Sequence, residues 1–206
     1  YIITACNAQK IDRLRYNSKI KALYYTPSQS FHPSNKNINL MKKYKDNEVI
    51  VFEGQICNGK GLDIMLKSLE LIKKKITTIK LLLIGDFSGP GKINNEVIKH
   101  IKRSNNIEVT GWMPQTKVPL YINIGKVGIV LLQPWSYSYI IAPSNKLFDY
   151  MACGKAIIGS KGFPEIERFI KAANCGLTIE HNNPEKVANA IIFSLKNPQK
   201  RDEMGK

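Results

Sequence analysis

Histidine and arginine are scarce in this 206-residue chain, cysteine is thinly spread, and long apolar runs are missing. The three histidines, His32, His100 and His181, stand too far apart to make a metal-ligand pattern. The four cysteines, Cys6, Cys57, Cys153 and Cys175, form no C-x-x-C pair, which excludes a small disulfide scaffold. Cys153 and Cys175 sit among apolar and small residues, so buried, reduced thiols in a cytoplasmic setting are expected. No apolar stretch approaches the roughly 20 residues that cross a bilayer. Tyr1-Ile-Ile-Thr-Ala leads into no hydrophobic region, so no secretory signal is expected. The chain opens without Met on an apolar run and is expected to be a fragment.

Lysine, by contrast, is plentiful. Lys and Arg number 31 against 16 Asp and Glu, a formal net charge of +15, and only five of the 31 are Arg. Lys, Ile and Asn are abundant together and share A/T-rich codons, so a solvated Lys-rich surface is the first reading of the charge. A nucleic-acid footprint gathers Arg and aromatics into one patch, and no such patch is visible. With 43% hydrophobic residues the chain is not disordered, and its length suits one domain with a partial second piece.

Short runs of Ile, Val and Leu alternate with longer amphipathic stretches. Strands are expected at 21–25, 49–53, 80–84, 107–110, 127–132, 156–159 and 177–180. Helices are expected at 62–75, 94–103, 116–123, 145–153, 165–173 and 184–195. Several strands are apolar almost throughout, as strands covered on both faces must be. The expected class is therefore α/β: a Rossmann-like open parallel sheet flanked by helices, built from right-handed βαβ units. A helix at 8–17 and the strand at 21–25 read as the end of an upstream α/β domain. The Pro-, Ser- and Asn-rich stretch 26–47 reads as a linker, and 48–206 as the main domain.

Open α/β sheets bind ligands at the carboxyl ends of their strands, and four loops fall there. Gly54-Gln-Ile-Cys-Asn-Gly-Lys60-Gly61 places glycines and a lysine between a strand and a helix. Gly85-Asp-Phe-Ser-Gly-Pro-Gly91-Lys92-Ile93 is not a P-loop: five residues separate Gly85 from Gly91, and Ile93 replaces the magnesium-binding hydroxyl. Trp112-Met113 offers a flat apolar ledge or a buried turn. Pro143-Ser144 opens a helix whose free amides at Asn145 and Lys146 can meet an anion, with Asp149 one turn further on.

In order and spacing these segments resemble the donor-binding domain of family 4 glycosyltransferases, which have the GT-B fold. The likeness runs through G-Q-x-x-x-x-K-G at 54–61, L-L-I-G-D at 82–86 and N-I-E-V-T-G-W at 106–112. It continues through P-S-N-K-L-F-D-Y-M-A-C-G-K-A-I-I at 143–158, G-F-P-E-I at 162–166 and N-C-G-L-T-I-E at 174–180. The resemblance implies that Lys60 holds the donor diphosphate and acts as the catalytic cation. It implies that Gly54, Gln55, Gly85, Pro143, Ser144, Asn145 and Lys146 surround the phosphates and sugar, that Trp112 and Met113 take the base, and that Asp149 grips the ribose. Gly162 and Glu165 match an element packed near the site. Two positions depart from the family: Gln55 stands for an arginine, which Lys146 partly replaces, and Ile141 for the first of two glutamates.

The implied activity is retaining, metal-independent transfer from a UDP- or GDP-sugar, with no cofactor, to a saccharide or lipid-linked acceptor held by the upstream domain. The fragment alone is expected to bind donor without turning it over. No nucleic-acid partner is expected, and Lys-rich faces can rest on an anionic inner membrane face. A nucleotide-sugar epimerase of the same architecture, or a basic non-catalytic module binding nucleic acid or membrane, stays open as an alternative.

Overall fold

A computed structural model describes residues 2–4, 20–91 and 93–206. Its centre is a six-stranded sheet, all of whose described pairings are parallel. The strands are β3 (Glu48–Glu53), β4 (Ile79–Ile84), β5 (Ile107–Val109), β6 (Val127–Val130), β7 (Ala156–Ser160) and β8 (Gly176–Ile179). Their spatial order is β5-β4-β3-β6-β7-β8, so the chain leaves β3 toward one edge and returns to build the other from β6. A separate parallel pair joins β1 (Ile2–Thr4) to β2 (Ile20–Ala22). The expected helix at 8–17 and Cys6 lie outside the described residues.

Side chains alternate across a strand, and both faces of this sheet are buried. On β3, Ile50 and Phe52 enter one core while Val49 and Val51 enter the other. On β4, Leu81 and Leu83 separate from Leu82 and Ile84 in the same way. The first core is covered by α2 (Leu62–Lys73) and α8 (Pro184–Lys196), through Met65, Leu69, Ile72, Val187 and Ile191. The second is covered by α6 (Asn145–Ala152) and α7 (Pro164–Ala173), through Leu147, Tyr150, Ile166 and Ile170. Helices α3 (Asn95–Arg103), α4 (Val118–Ile122), α5 (Tyr137–Ile141) and α9 (Pro198–Met204) complete the layers.

The expected strands are found with boundaries shifted by one to three residues. β6 stops at Val130, and Leu131 and Leu132 stay buried as the chain leaves the sheet. The stretch 26–47 contains more structure than a linker needs. It holds α1 (Ile38–Lys43), capped by the Asn37 side chain, which accepts from the amides of Asn39 and Leu40. Phe31 and Tyr44 on either side of α1 insert into the second core, which the polar composition of the segment conceals. Cys57, Cys153 and Cys175 are buried free thiols, as expected for Cys153 and Cys175.

Candidate functional site

The sheet order reverses between β3 and β6, and the segments leaving the carboxyl ends of these two strands open a crevice. Two clefts meet there. The first, about 450 Å³, is walled by Gly54, Gln55 and Lys60 after β3, Leu132 after β6, Ser138 and Tyr139 of α5, and Pro143 to Lys146 at the start of α6. The second, about 430 Å³, lies over β3 and β4 and is walled by Gly85, Asp86, Trp112, Met113, Gln115 and Val118 among others. Glu53, Gly54 and Gln55 belong to both. Each volume falls in the range of about 300–1,000 Å³ common for small-ligand sites.

Backbone geometry brings these loops together. The 3-10 turn Asn58–Lys60 ends on Gly61, whose φ of +82° also starts α2. A side chain at Gly61 would run into the Leu131 carbonyl, so only glycine lets the lysine loop approach β6 so closely. The Gln133 amide then donates to the Gly59 carbonyl at 3.2 Å, fastening the two segments. Across the other cleft, Asp86 Oδ1 accepts from the Trp112 amide at 2.8 Å and pins that loop. Trp112 is 76% exposed, so it is a ledge and not a core residue.

The first cleft is cationic. Lys60 Nζ lies 4.0 Å from the centroid of the Tyr139 ring, an arrangement that holds an ammonium at the cleft wall. Lys146 is only 5% exposed, and its Nζ has no hydrogen-bond partner. It faces the Phe52 ring at 4.0 Å. Burial pulls its pKa down to about 8, opposed by the negative charge of Glu53. The amides of Asn145 and Lys146 open α6, where the first turn has no intrahelical acceptors. Ser144 occupies the N-cap position, but its hydroxyl makes no capping bond.

One placement differs from the sequence reading. Asp149 is 4% exposed and lines neither cleft; its Oδ1 accepts from the Tyr25 hydroxyl at 3.0 Å. Gln115 Nε2 donates to that same hydroxyl at 2.8 Å. Burial first, then the charge of Glu53, raises the Asp149 pKa to about 7. Glu165, in the element matched near the site, is also buried; it is paired with Arg168 at 2.8 Å and lines neither cleft. Conversely, Glu53 and Tyr139 line the site and escaped notice. Glu53 did leave a signal, being an acid in the last position of a central apolar strand, beside Gly54. Tyr139 left none, because the short α5 has no periodicity to read.

A doubly covered parallel sheet in this order, with its crevice at the reversal point, is a Rossmann-like α/β domain, one half of a GT-B fold. The chain belongs to the glycosyl transferases group 1 family, whose model matches residues 34–206. It is similar to the Anabaena protein HepE, solved in complex with UDP and glucose, at 15% identity and a TM-score of 0.75, covering 99% of this chain and 55% of that one. It is similar to sucrose-phosphate synthase from Thermosynechococcus elongatus at 17% identity and a TM-score of 0.74, covering 99% and 51%. It also matches the C-terminal domain of the group 1 glycosyl transferase LpcC from Francisella tularensis at 17% identity and a TM-score of 0.70, covering 88% and 93%. The chain thus spans about half the length of the first two. No curated protein sequence matches it. Among the described residues, no helix is long and apolar enough to cross a membrane.

Proposed function

We propose that residues 48–206 bind the donor of a retaining sugar transferase, a nucleoside diphosphate sugar of the UDP or GDP type. The observation that carries this reading is the meeting of a cationic cleft and an apolar-ledged cleft at Gly54. A nucleotide needs both: a flat surface for its base and fixed positive charge for its diphosphate. Trp112 and Met113 flank the base. Lys60, Lys146 and the amides of Asn145 and Lys146 hold the diphosphate, with Gly54, Gln55, Gly85 and Pro143 shaping the backbone around it.

Transfer breaks the bond between the sugar and the diphosphate, so negative charge grows on the departing phosphate oxygen. Cations and amides already in place stabilise that charge without reorganising. Lys60 does this from the cleft wall, and Lys146 supplies the charge that Gln55 lacks. Residues 1–25 are the end of the acceptor-binding domain, and the acceptor is a saccharide or a lipid-linked saccharide. The site is cytoplasmic, where nucleotide sugars are made.

Lys60→Ala is expected to weaken UDP or GDP binding about tenfold in calorimetry, with an unchanged melting curve. The value is at the lower end for a charge-assisted hydrogen bond because Lys60 is half-buried and partly screened. Undiminished affinity removes Lys60 from the site, and no binding of either diphosphate by the unaltered protein overturns the reading itself.

Among the described residues, no group of three or more His, Cys, Asp or Glu is placed to hold a metal ion. With lysines and helix amides performing the neutralisation, UDP and GDP affinity is expected to change less than about twofold on adding EDTA. A strict magnesium requirement overturns the metal-free mechanism.

A further inference from the structure

We propose that Tyr25 is a positioning residue of the donor site, whose hydroxyl ties the segment leaving β2 to the base-side cleft and to helix α6. The inference rests on the donor-site reading above. Three segments far apart in the chain meet at this one hydroxyl. It donates to Asp149 Oδ1 on α6 at 3.0 Å and accepts from Gln115 Nε2 at 2.8 Å. Gln115 opens the 3-10 turn Gln115–Lys117 just after Trp112 and Met113, and it lines the cleft assigned to the base. An amide nitrogen donates and a carboxylate accepts, so the hydroxyl spends a lone pair on Gln115 and its single proton on Asp149. Burial first, then the charge of Asp149, pushes the Tyr25 pKa up to about 12, so that proton stays in place at neutral pH.

The residue before it beds the segment on the domain. Tyr24 meets Phe169 edge-on with ring centroids 5.0 Å apart, and Phe169 meets Phe148 in the same way at 4.8 Å. Arg168 Nη2 donates to the Tyr24 hydroxyl at 2.9 Å. Phe148 belongs to α6 and Phe169 to α7, the two helices that cover the second core. The Tyr25 ring lies further off, 6.4 Å from that of Phe148, and what it contributes is the hydroxyl. Without it the Gln115 amide is released at the cleft wall, and the loop carrying Trp112 and Met113 keeps its tie to Asp86 alone of these two. A loop that the ligand must order binds that ligand more weakly.

Asp149 reports on the same hydroxyl. The titratable groups around its carboxyl are Glu53 of β3, Tyr25, and Lys146, Tyr150 and Cys153 on or beside α6. Burial and the Glu53 charge raise its pKa, while the hydrogen bond from Tyr25 draws it back down. The hydroxyl therefore stabilises the ionised carboxylate more than the protonated one.

Tyr25→Phe keeps the ring and removes only the hydroxyl. In calorimetry with UMP, UDP, GMP and GDP, it is expected to weaken each nucleotide that binds by about fivefold, the worth of one neutral hydrogen bond. The loss is the same for mono- and diphosphate, because it arises at the base. Gln115→Met is expected to cost as much, and the double variant no more than either alone, since both break one link. Melting curves from about pH 5 to about pH 8 give a second readout. The unaltered protein is expected to exceed Tyr25→Phe by a margin that widens as pH rises through about 7, where Asp149 ionises. In the variant Asp149 titrates higher, so the folded variant still holds a proton there and loses stability faster with rising pH. A constant margin means that Tyr25 acts by packing alone and overturns the inference. Undiminished affinity, additive losses or a loss confined to the diphosphates also overturn it and leave the donor site standing. Failure of the unaltered protein to bind any of the four nucleotides overturns the donor-site reading and the inference with it.

Discussion

Lys146→Met is expected to weaken UDP or GDP binding about a hundredfold while the protein melts no lower than before, a separation of binding from stability. Lys146 Nζ is buried, lacks a hydrogen-bond partner and rests against the Phe52 ring. Removing an ammonium from water is costly, and replacing it by an apolar chain of similar size relieves that cost. Glu53 then loses a cationic neighbour and shifts further toward its protonated form, which limits the damage of leaving it buried. In the proposed donor site a diphosphate recovers the desolvation cost in the unaltered protein by supplying the oxygens that Lys146 lacks. The full upper end of a charge-assisted interaction is therefore expected, larger than at Lys60.

The same lysine sets a pH dependence. Its folded-state pKa of about 8 lies below the ordinary 10.5, because burial disfavours the charged form. Between those values the unfolded chain binds the proton more than the folded one, so this group makes stability rise as pH rises through the window. Ligand binding runs the other way. The diphosphate selects the ammonium, so its affinity falls as pH climbs past about 8, and binding near that pH takes up protons from buffer. Titrations in buffers of different ionisation enthalpy count those protons. In Lys146→Met the proton uptake is expected to vanish and the stability slope to shrink to the part that Lys155 sets, since burial also lowers the Lys155 pKa to about 8; proton uptake that persists assigns it to another group.

Gly61→Ala is expected to destabilise the domain by about 3 kcal/mol, combining a strained backbone with overpacking. Gly61 has φ +82°, and a methyl group there meets the Leu131 carbonyl and side chain. Neither neighbour yields easily, since Leu131 is fully buried. In a domain of this size the loss lowers the melting temperature by roughly 6–12 °C. Moving the 3-10 turn also displaces Lys60, so UDP and GDP affinity is expected to fall with stability. A melting temperature within a degree or two of the original means that the loop and β6 can separate freely.

Much of the fold is legible from local pattern. Unbroken apolar strands such as Val49-Ile-Val-Phe and Leu81-Leu-Leu-Ile can satisfy alternation only if both faces are covered, which requires a parallel sheet between helices. Helix α2 shows its stripe at Leu62, Met65, Leu69 and Ile72, all buried, with Lys67 in water. The α-helices missed are α1, α5 and α9, each of seven residues or fewer. Such helices are too short to display a period and are held by contacts beyond themselves. Tyr44 beside α1 illustrates this, since the core that receives it is built by β3, β4 and β7.

By itself, then, the sequence determined the sheet, the family and the loops that gather at its carboxyl edge, because periodicity and motif spacing are properties of neighbours along the chain. Which charged side chain faces the crevice was decided by tertiary structure. A helix position fixes only the direction in which Asp149 points. Its closure depends on Tyr25, 124 residues away, and the desolvation of Lys146 on Phe52 of a strand nearly a hundred residues earlier. Glu53 acquired its place because β3 lies where the strand order reverses, a relation no local window contains. Burial is a property of everything packed around a group, and the energies of the site follow from burial.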